Sequence, residues 1–286
     1  MKRQCAIITA YKCPQMLEFL LDAIHEKMDC FVYIDKRYSE DFQKVRAKFS
    51  DVTFQHPLVV KWGGVEHLKE ILMGLKLCLK KDFSYVHIIS GEDYPTVPVD
   101  ELINFFEGKN GIYSDCHLPD RKAWSKRYKC RWPYVKWSMD YKYNKVVKFF
   151  NATVVAFQEC FPFLQRKGIG EFENVYMGLI WASYPKDAVD YIVDYIANNQ
   201  QFWNDLQTCK IPEEFCFPTI LMNSPLKERM EYNNLRFGRF DSINGWGPVY
   251  ATEEDLNSID KKGCMFARKI NPNSRLYKIL ESRQNK

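Results

Sequence analysis

Two adjacent carboxylates, Glu213 and Glu214, directly follow Pro212 in the run IPEEFCFPTILMNSP at residues 211–225. Proline suits a helix start and acidic side chains suit its positive end, so the pair belongs in the first turn of a short helix. Phe215, Phe217, Ile220 and Leu221 supply its apolar face. A carboxylate in that place is either a charge that caps the helix or a base aimed into a cleft. Other groups could act with it. Asp35 closes the apolar run CFVYI, where it can accept a hydrogen bond from a nucleobase N–H or a ribose hydroxyl, or simply open the next loop. Asp93 follows the run YVHII in the loop SGEDYP. Arg268 and Lys269 stand together at the end of CMFARKI and could neutralise a diphosphate. Trp62, in KWGG at 61–64, offers a wall for a sugar ring or packs beside a helix start.

The elements around these residues follow from apolar periodicity. Residues 4–10 (QCAIITA) read as a strand buried on both faces, and Pro14 opens a helix with Met16, Leu17, Leu20, Leu21 and Ile24 on one stripe. A second strand over 30–34 completes a strand, helix, strand unit, the building block of a parallel sheet whose ligands bind at the carboxyl ends of the strands. A third strand is expected at 51–54. Gly63 and Gly64 then precede a long helix with Val65, Leu68, Leu72, Leu75 and Leu79 inward. A strand at 85–89, a helix at 99–106 and a strand near 111–114 end the nucleotide-binding half. A further strand is expected at 174–182, a strand-like run at 264–270 (CMFARKI), a helix at 188–196, and a helix start at Thr252-x-x-Asp255. The class is therefore α/β.

Composition bounds the function. The 286 residues are 46% apolar and 27% charged, ordinary for a globular protein. No run approaches the ~20 apolar residues that cross a bilayer, and the apolar run of MKRQCAIITAY is too short for a secretory signal. The chain is accordingly expected to be neither exported nor membrane-spanning. Ten cysteines without a C-x-x-C pair read as reduced core residues. The net charge of +5 suits anionic ligands such as nucleotide diphosphates or acidic lipid surfaces, and is too small to imply nucleic acid.

Residues 121–148 interleave basic side chains with Trp124, Tyr128, Trp132, Tyr134, Trp137, Tyr141 and Tyr143. That mixture suits sugar stacking, anionic lipid headgroups or single-stranded nucleic acid, or forms a solvated face with snorkelling side chains. Residues 146–164 read as a hydrophobic helix with basic flanks. Its Asn151, Thr153, Gln158 and Glu159 make it a packed or interfacial helix rather than a span.

All five histidines lie at or before His117 and none stands in an H-E-x-x-H pair, which disfavours a zinc hydrolase. The chain has no G-x-S-x-G, no G-x-x-x-x-G-K-[ST] and no G-x-G-x-x-G. Glu92 and Asp93 are adjacent, so their side chains diverge in an extended loop. No Asp-x-Asp closes an expected strand, and no metal is asked for.

The ordered set YIDKR at 33–37, KWGG at 61–64, SGEDYP at 90–95, PEEFCFPTILMNSP at 212–225, NNLR at 233–236 and FARK at 266–269 resembles glycosyltransferase family 14. That family contains the core-2/I-branching β-1,6-N-acetylglucosaminyltransferases and the peptide O-xylosyltransferases. The resemblance implies a single GT-A-type domain over 1–286, with a Rossmann-like nucleotide-binding half at 1–115, an acceptor and catalytic half at 116–286, and a mixed central sheet. It implies a UDP-sugar donor, inversion at the anomeric carbon, and neither a metal nor another cofactor. Glu214 matches the general base, Asp35 the residue that binds uracil, and Arg268 with Lys269 the pair that contacts the diphosphate. Ile8, Asp93 and Arg236 are the further donor-side candidates; Trp62, Trp181 and Glu213 are those of the acceptor side. Expected partners are the donor, a glycan or lipid-linked glycan acceptor, and a peripheral membrane contact, without nucleic acid. The chain departs from the family at Gly178-Leu179-Ile180-Trp181, where Gly-Ser-x-Trp is common. It also lacks the anchor and luminal cysteine pattern of the animal enzymes, which suggests a bacterial-type member in the cytoplasm, at the inner face of the membrane. The competing reading is a carbohydrate- or nucleotide-binding module without turnover, which would keep Asp35 but needs no base at Glu214.

Overall fold

A computed structural model describes residues 2–133, 145–241 and 247–284. Tyr134, Trp137, Tyr141 and Tyr143 of the aromatic stretch, and residues 245–246, lie outside the described residues. Strands β1 (Arg3–Ala10), β2 (Met28–Ile34), β3 (Thr53–Gln55) and β4 (Phe83–Ser90) form a parallel sheet in the order β3-β2-β1-β4. The edge strand β6 (Ser183–Pro185) pairs antiparallel with β4. The expected α/β class with a mixed central sheet is the observed one.

Side chains that alternate along a strand face opposite sides, and here both sides are covered. Ile7, Tyr33 and Ile88 pack under α3 (Glu66–Cys78), α7 (Lys186–Asn198) and α9 (Glu213–Met222). Ile8, Val32, Ile34 and Ile89 pack under α1 (Pro14–Ile24), α2 (Gln43–Lys48) and α4 (Val99–Phe106). His87, on β4, is wholly buried and far below its ordinary pKa because burial disfavours its charge, with Arg236 adding to the effect. Its ring bonds Ser183 Oγ at 2.7 Å and Gln4 Oε1 at 2.9 Å, which joins β1, β4 and β6.

A second sheet runs β5-β9-β7-β8, with β5 (Tyr94–Pro95), β7 (Arg236–Asp241), β8 (Gly247–Val249) and β9 (Phe266–Arg268). Strand β9 lies antiparallel to β5 and parallel to β7, so Tyr94 faces Ala267 and Gly238 faces Arg268. This pairing brings the loop after β4 to the basic pair. Helices α5 (Lys122–Lys129), α6 (Lys145–Cys160), α8 (Gln200–Leu206), α10 (Leu256–Lys261) and α11 (Arg275–Gln284) complete the described α-helices. Thr252 and Asp255 make the expected reciprocal capping box before α10.

Two expected strands are absent as ladders. Near 111–114 there are only isolated bridges, Ile112 to Met230 and Tyr113 to Ser183. Residues 174–182 run instead against a loop and a helix: Met177 exchanges backbone bonds with His117, Thr219 Oγ1 bonds both N–H and C=O of Tyr176, and the Gly178 N–H donates to Glu214 O at 2.9 Å. Pro218 inside α9 has no N–H to offer the carbonyl four residues back, which leaves Glu214 O open to the Gly178 N–H. Gly178 fits there because an added Cβ would sit 1.9 Å from Asp115 O. Nor does α9 have a single apolar face, since every residue from Phe215 to Leu221 is buried.

Gly74 lets α3 lie close on β1, as an added Cβ would come within 2.9 Å of Ile7. Gly74→Val is expected to cost about 1–3 kcal/mol by overpacking, outweighing the roughly 0.5 kcal/mol gained in helix propensity. Urea unfolding will show a lower midpoint with an unchanged slope; a raised midpoint would contradict the close approach.

Candidate active site

The acidic pair sits where three elements converge. Ile211 takes a left-handed backbone, with φ of 56°, and its N–H donates to Gly63 O at 2.9 Å. A β-branched residue is rarely found there, so the turn that delivers α9 is held under strain by its surroundings. The KWGG loop is thereby tied to the segment that precedes the carboxylates. On the other side, the Lys210 N–H donates to Arg127 O at 3.0 Å and docks the end of α5.

Arg127 Nη1 pairs with Glu214 Oε2, and both side chains are mostly buried. Burial pushes the Glu214 carboxyl up to about 7, Arg127 pulls against that rise, and neighbouring Glu213 adds to it. Glu213 turns the other way. Its Oε1 lies 3.4 Å from His67 Nδ1, and His67 Nε2 lies 3.3 Å from Thr9 Oγ1 at the carboxyl end of β1. The second oxygen, Oε2, is buried without a hydrogen-bond partner among the described residues. The His67 ring is 5.7 Å from Trp181.

Trp181 stacks on the cationic side. The Arg268 guanidinium lies 3.9 Å from its ring centre. Arg268 Nε is 3.4 Å from Asp93 Oδ1, and burial lowers its pKa. Lys269 Nζ donates to Glu92 Oε2 at 2.7 Å and to Tyr11 at 3.5 Å, while the Tyr250 hydroxyl donates to Glu92 Oε1 at 3.2 Å. Burial draws the Lys269 pKa down, yet Glu92 more than offsets it, and the net direction is upward. The adjacent carboxylates do diverge, each to its own cation. Contacts thus run without a break from Lys269 and Arg268 through Trp181 and His67 to Glu213 and Glu214.

The remaining candidates are placed differently. Asp35 is buried at the end of β2, and both its oxygens accept from Arg37: the backbone N–H at 3.0 Å, Nε at 3.1 Å and Nη2 at 2.7 Å. Ile8 does not face the crevice: it is fully buried in the sheet core, because its position on β1 points under α1. Arg236 is likewise internal, with its guanidinium donating to Ser183 Oγ, Ala182 O and Asn234 O. Asp93 has no exposed surface and accepts from Ser90 while pairing Arg268, so it acts behind the cation rather than on a ligand. Trp62 is half-exposed, with the Lys210 ammonium 5.6 Å from its ring, and that ammonium is 5.0 Å from Trp132. Burial lowers the Lys210 pKa, as do Arg127 and Lys148.

Arg127, His67 and Thr9 were not singled out by the sequence. Arg127 is one of many basic residues in its stretch, and His67 drew attention only as a histidine outside any zinc motif. Among the described residues, no three His, Cys, Asp or Glu side chains are grouped to hold a metal ion, and all ten cysteines are free.

Among curated proteins, none matches the chain. A solved structure of 4-diphosphocytidyl-2C-methyl-D-erythritol synthase is similar at 16% identity over 42% of this chain, with a TM-score of 0.31. The chain spans only 62% of that protein's length, and the likeness is too slight to carry an activity over. The sequence model of the core-2/I-branching enzymes, by contrast, matches residues 7–260, and so takes in the strand ends, the KWGG loop and the Glu213–Glu214 helix together. The chain belongs to the core-2/I-branching enzyme family of glycosyltransferases.

Proposed function

We propose that the protein is an inverting, metal-independent glycosyltransferase that moves N-acetylglucosamine from a UDP-sugar to a hydroxyl of a glycan or lipid-linked glycan, with Glu214 as the general base. The supporting observation is the Glu214 carboxyl itself, buried at the start of α9, poised at about 7 and joined by contacts to the cationic pair. In the reaction the acceptor oxygen attacks the anomeric carbon as its proton passes to Glu214. The bond from that carbon to the diphosphate oxygen breaks, and UDP leaves with the electron pair. Lys269 and Arg268 meet the developing negative charge with fixed positive charge, which needs no reorganisation. Asp35, released from Arg37, would take the uracil edge. Trp62, Trp181 and Glu213 would border the acceptor.

A base must be in its charged form, so activity is present above its pKa and lost below it. Glu214→Gln is expected to lower turnover by roughly 10²-fold to 10⁴-fold with UDP affinity little changed. For the unaltered protein kcat/KM should fall about tenfold per pH unit below pH 7. UDP release from a panel of UDP-sugars, UDP-xylose included, measures both the turnover and the donor. Unchanged turnover in the variant would move the base elsewhere, Glu213 first.

Lys269→Ala should weaken UDP binding by about tenfold or more, since it removes a charge-assisted contact. Glu92→Gln should tighten it, because the carboxylate that now occupies the ammonium is gone. Calorimetry with UDP reads both; equal affinities for Lys269→Ala and the unaltered protein would take Lys269 out of the donor site. Metal independence is tested by assay in excess chelator: activity is expected to persist, and its abolition would contradict the proposal.

A further inference from the structure

Helix α6 is amphipathic in the reverse sense. The residues it turns inward are Asn151, Val155 and Gln158, spaced four and three apart. Val155 packs with Cys130 and Trp132, and Gln158 bonds both the N–H and the C=O of Arg131. The residues turned outward are large and apolar. Val146, Phe149, Phe150 and Phe157 are exposed on the helix, with Phe161 and Phe163 just beyond it; Phe149 is 68% exposed and Phe163 81%. The rings of Phe157, Phe161 and Phe163 touch in series at 4.8 and 5.9 Å. An exposed apolar patch of this kind marks a surface that meets another protein or a membrane.

Charge decides between the two. Glu159 is the one acidic residue from 145 to 170, and Lys126 and Lys122 pair with it at 2.7 and 3.4 Å. Lys145, Lys148 and Lys167 are exposed around the patch. A second copy of the chain docked face to face would bring these ammonium groups against one another, whereas an anionic lipid surface attracts each of them. No helix among the described residues is long and apolar enough to cross a membrane.

From these observations we infer that α6 and the turn after it lie in the interface of an anionic bilayer, with the phenylalanines among the acyl chains and the lysines at the headgroups. Helix α5 ties this face to the carboxylate: Lys126 holds Glu159 of α6, and the next residue, Arg127, holds Glu214. Bound in this way, the protein presents its crevice beside the bilayer, where a lipid-linked hydroxyl is within reach. The docking itself does not depend on the sugar-transfer reading, which UDP release tests separately.

The test is flotation of the full chain with phosphatidylcholine vesicles and with vesicles that also contain phosphatidylglycerol, combined with sedimentation of the free protein. The unaltered chain should float with the anionic vesicles and not with the neutral ones, with binding reduced by salt. A Phe149→Ser, Phe157→Ser, Phe163→Ser variant and a Lys145→Glu, Lys148→Glu variant should each lose about tenfold of the bound fraction while keeping the thermal midpoint. Absence of flotation on anionic vesicles, or equal flotation of either variant, would overturn the inference. So would self-association that the phenylalanine variant abolishes, since that would make a second copy the occupant of the face.

Discussion

A carboxyl group taken out of water wants its proton, and a guanidinium beside it wants the proton gone. Glu214 is held between these two demands, and the rest of the structure can be read as the means of keeping it there. Burial among α9, α5 and the KWGG loop lifts the carboxyl, and Arg127 keeps the lift from becoming permanent neutrality. With a lone arginine in a solvated turn, the same glutamate would be an ordinary surface charge. With burial alone it would be an acid throughout the neutral range. Catalysis by proton removal needs the middle ground.

The placement of that pair follows from backbone chemistry more than from side-chain packing. Pro218 leaves a carbonyl without its helical donor, and the carbonyl is that of Glu214 itself. The Gly178 N–H fills the vacancy, which draws in the segment that ends at Trp181. Trp181 in turn carries the Arg268 guanidinium on its face. One missing N–H therefore connects Glu214 to the cations. The second sheet makes the complementary connection, because β5 pairs with β9 and so sets Glu92 and Asp93 opposite Lys269 and Arg268. Each cation is thus paired with its own carboxylate, Lys269 with Glu92 and Arg268 with Asp93.

Much of this arrangement was legible in the sequence. Apolar runs such as QCAIITA and CFVYI read as central strands, and the stripes of α1 and α3 as helices packed on them. Family membership was carried by six short motifs in order; the match over residues 7–260 bears it out and takes in the first five of them. What escaped was whatever depends on contact between distant segments. The strand expected at 174–182 dissolves because its partners are a loop and a helix end, which periodicity does not see. Asn151 and Gln158 were visible as polar residues in an apolar helix, but only the structure turns them inward and the phenylalanines outward. Ile8 and Arg236 stand beside motif residues in sequence and yet are internal, since strand alternation points the first under α1 and three acceptors surround the second. Arg127 was hidden among its basic neighbours, although it is the residue that pairs with Glu214 and holds its carboxyl down against burial.

The balance at Glu214 can be observed directly by following its carboxyl in infrared difference spectra across a pH titration, with the Glu214→Gln protein as the subtraction that isolates the band. A transition near pH 7 is expected, and it should move upward when Arg127 is replaced by leucine. A transition near 4, where a solvated glutamate ionises, and one indifferent to Arg127, would contradict it.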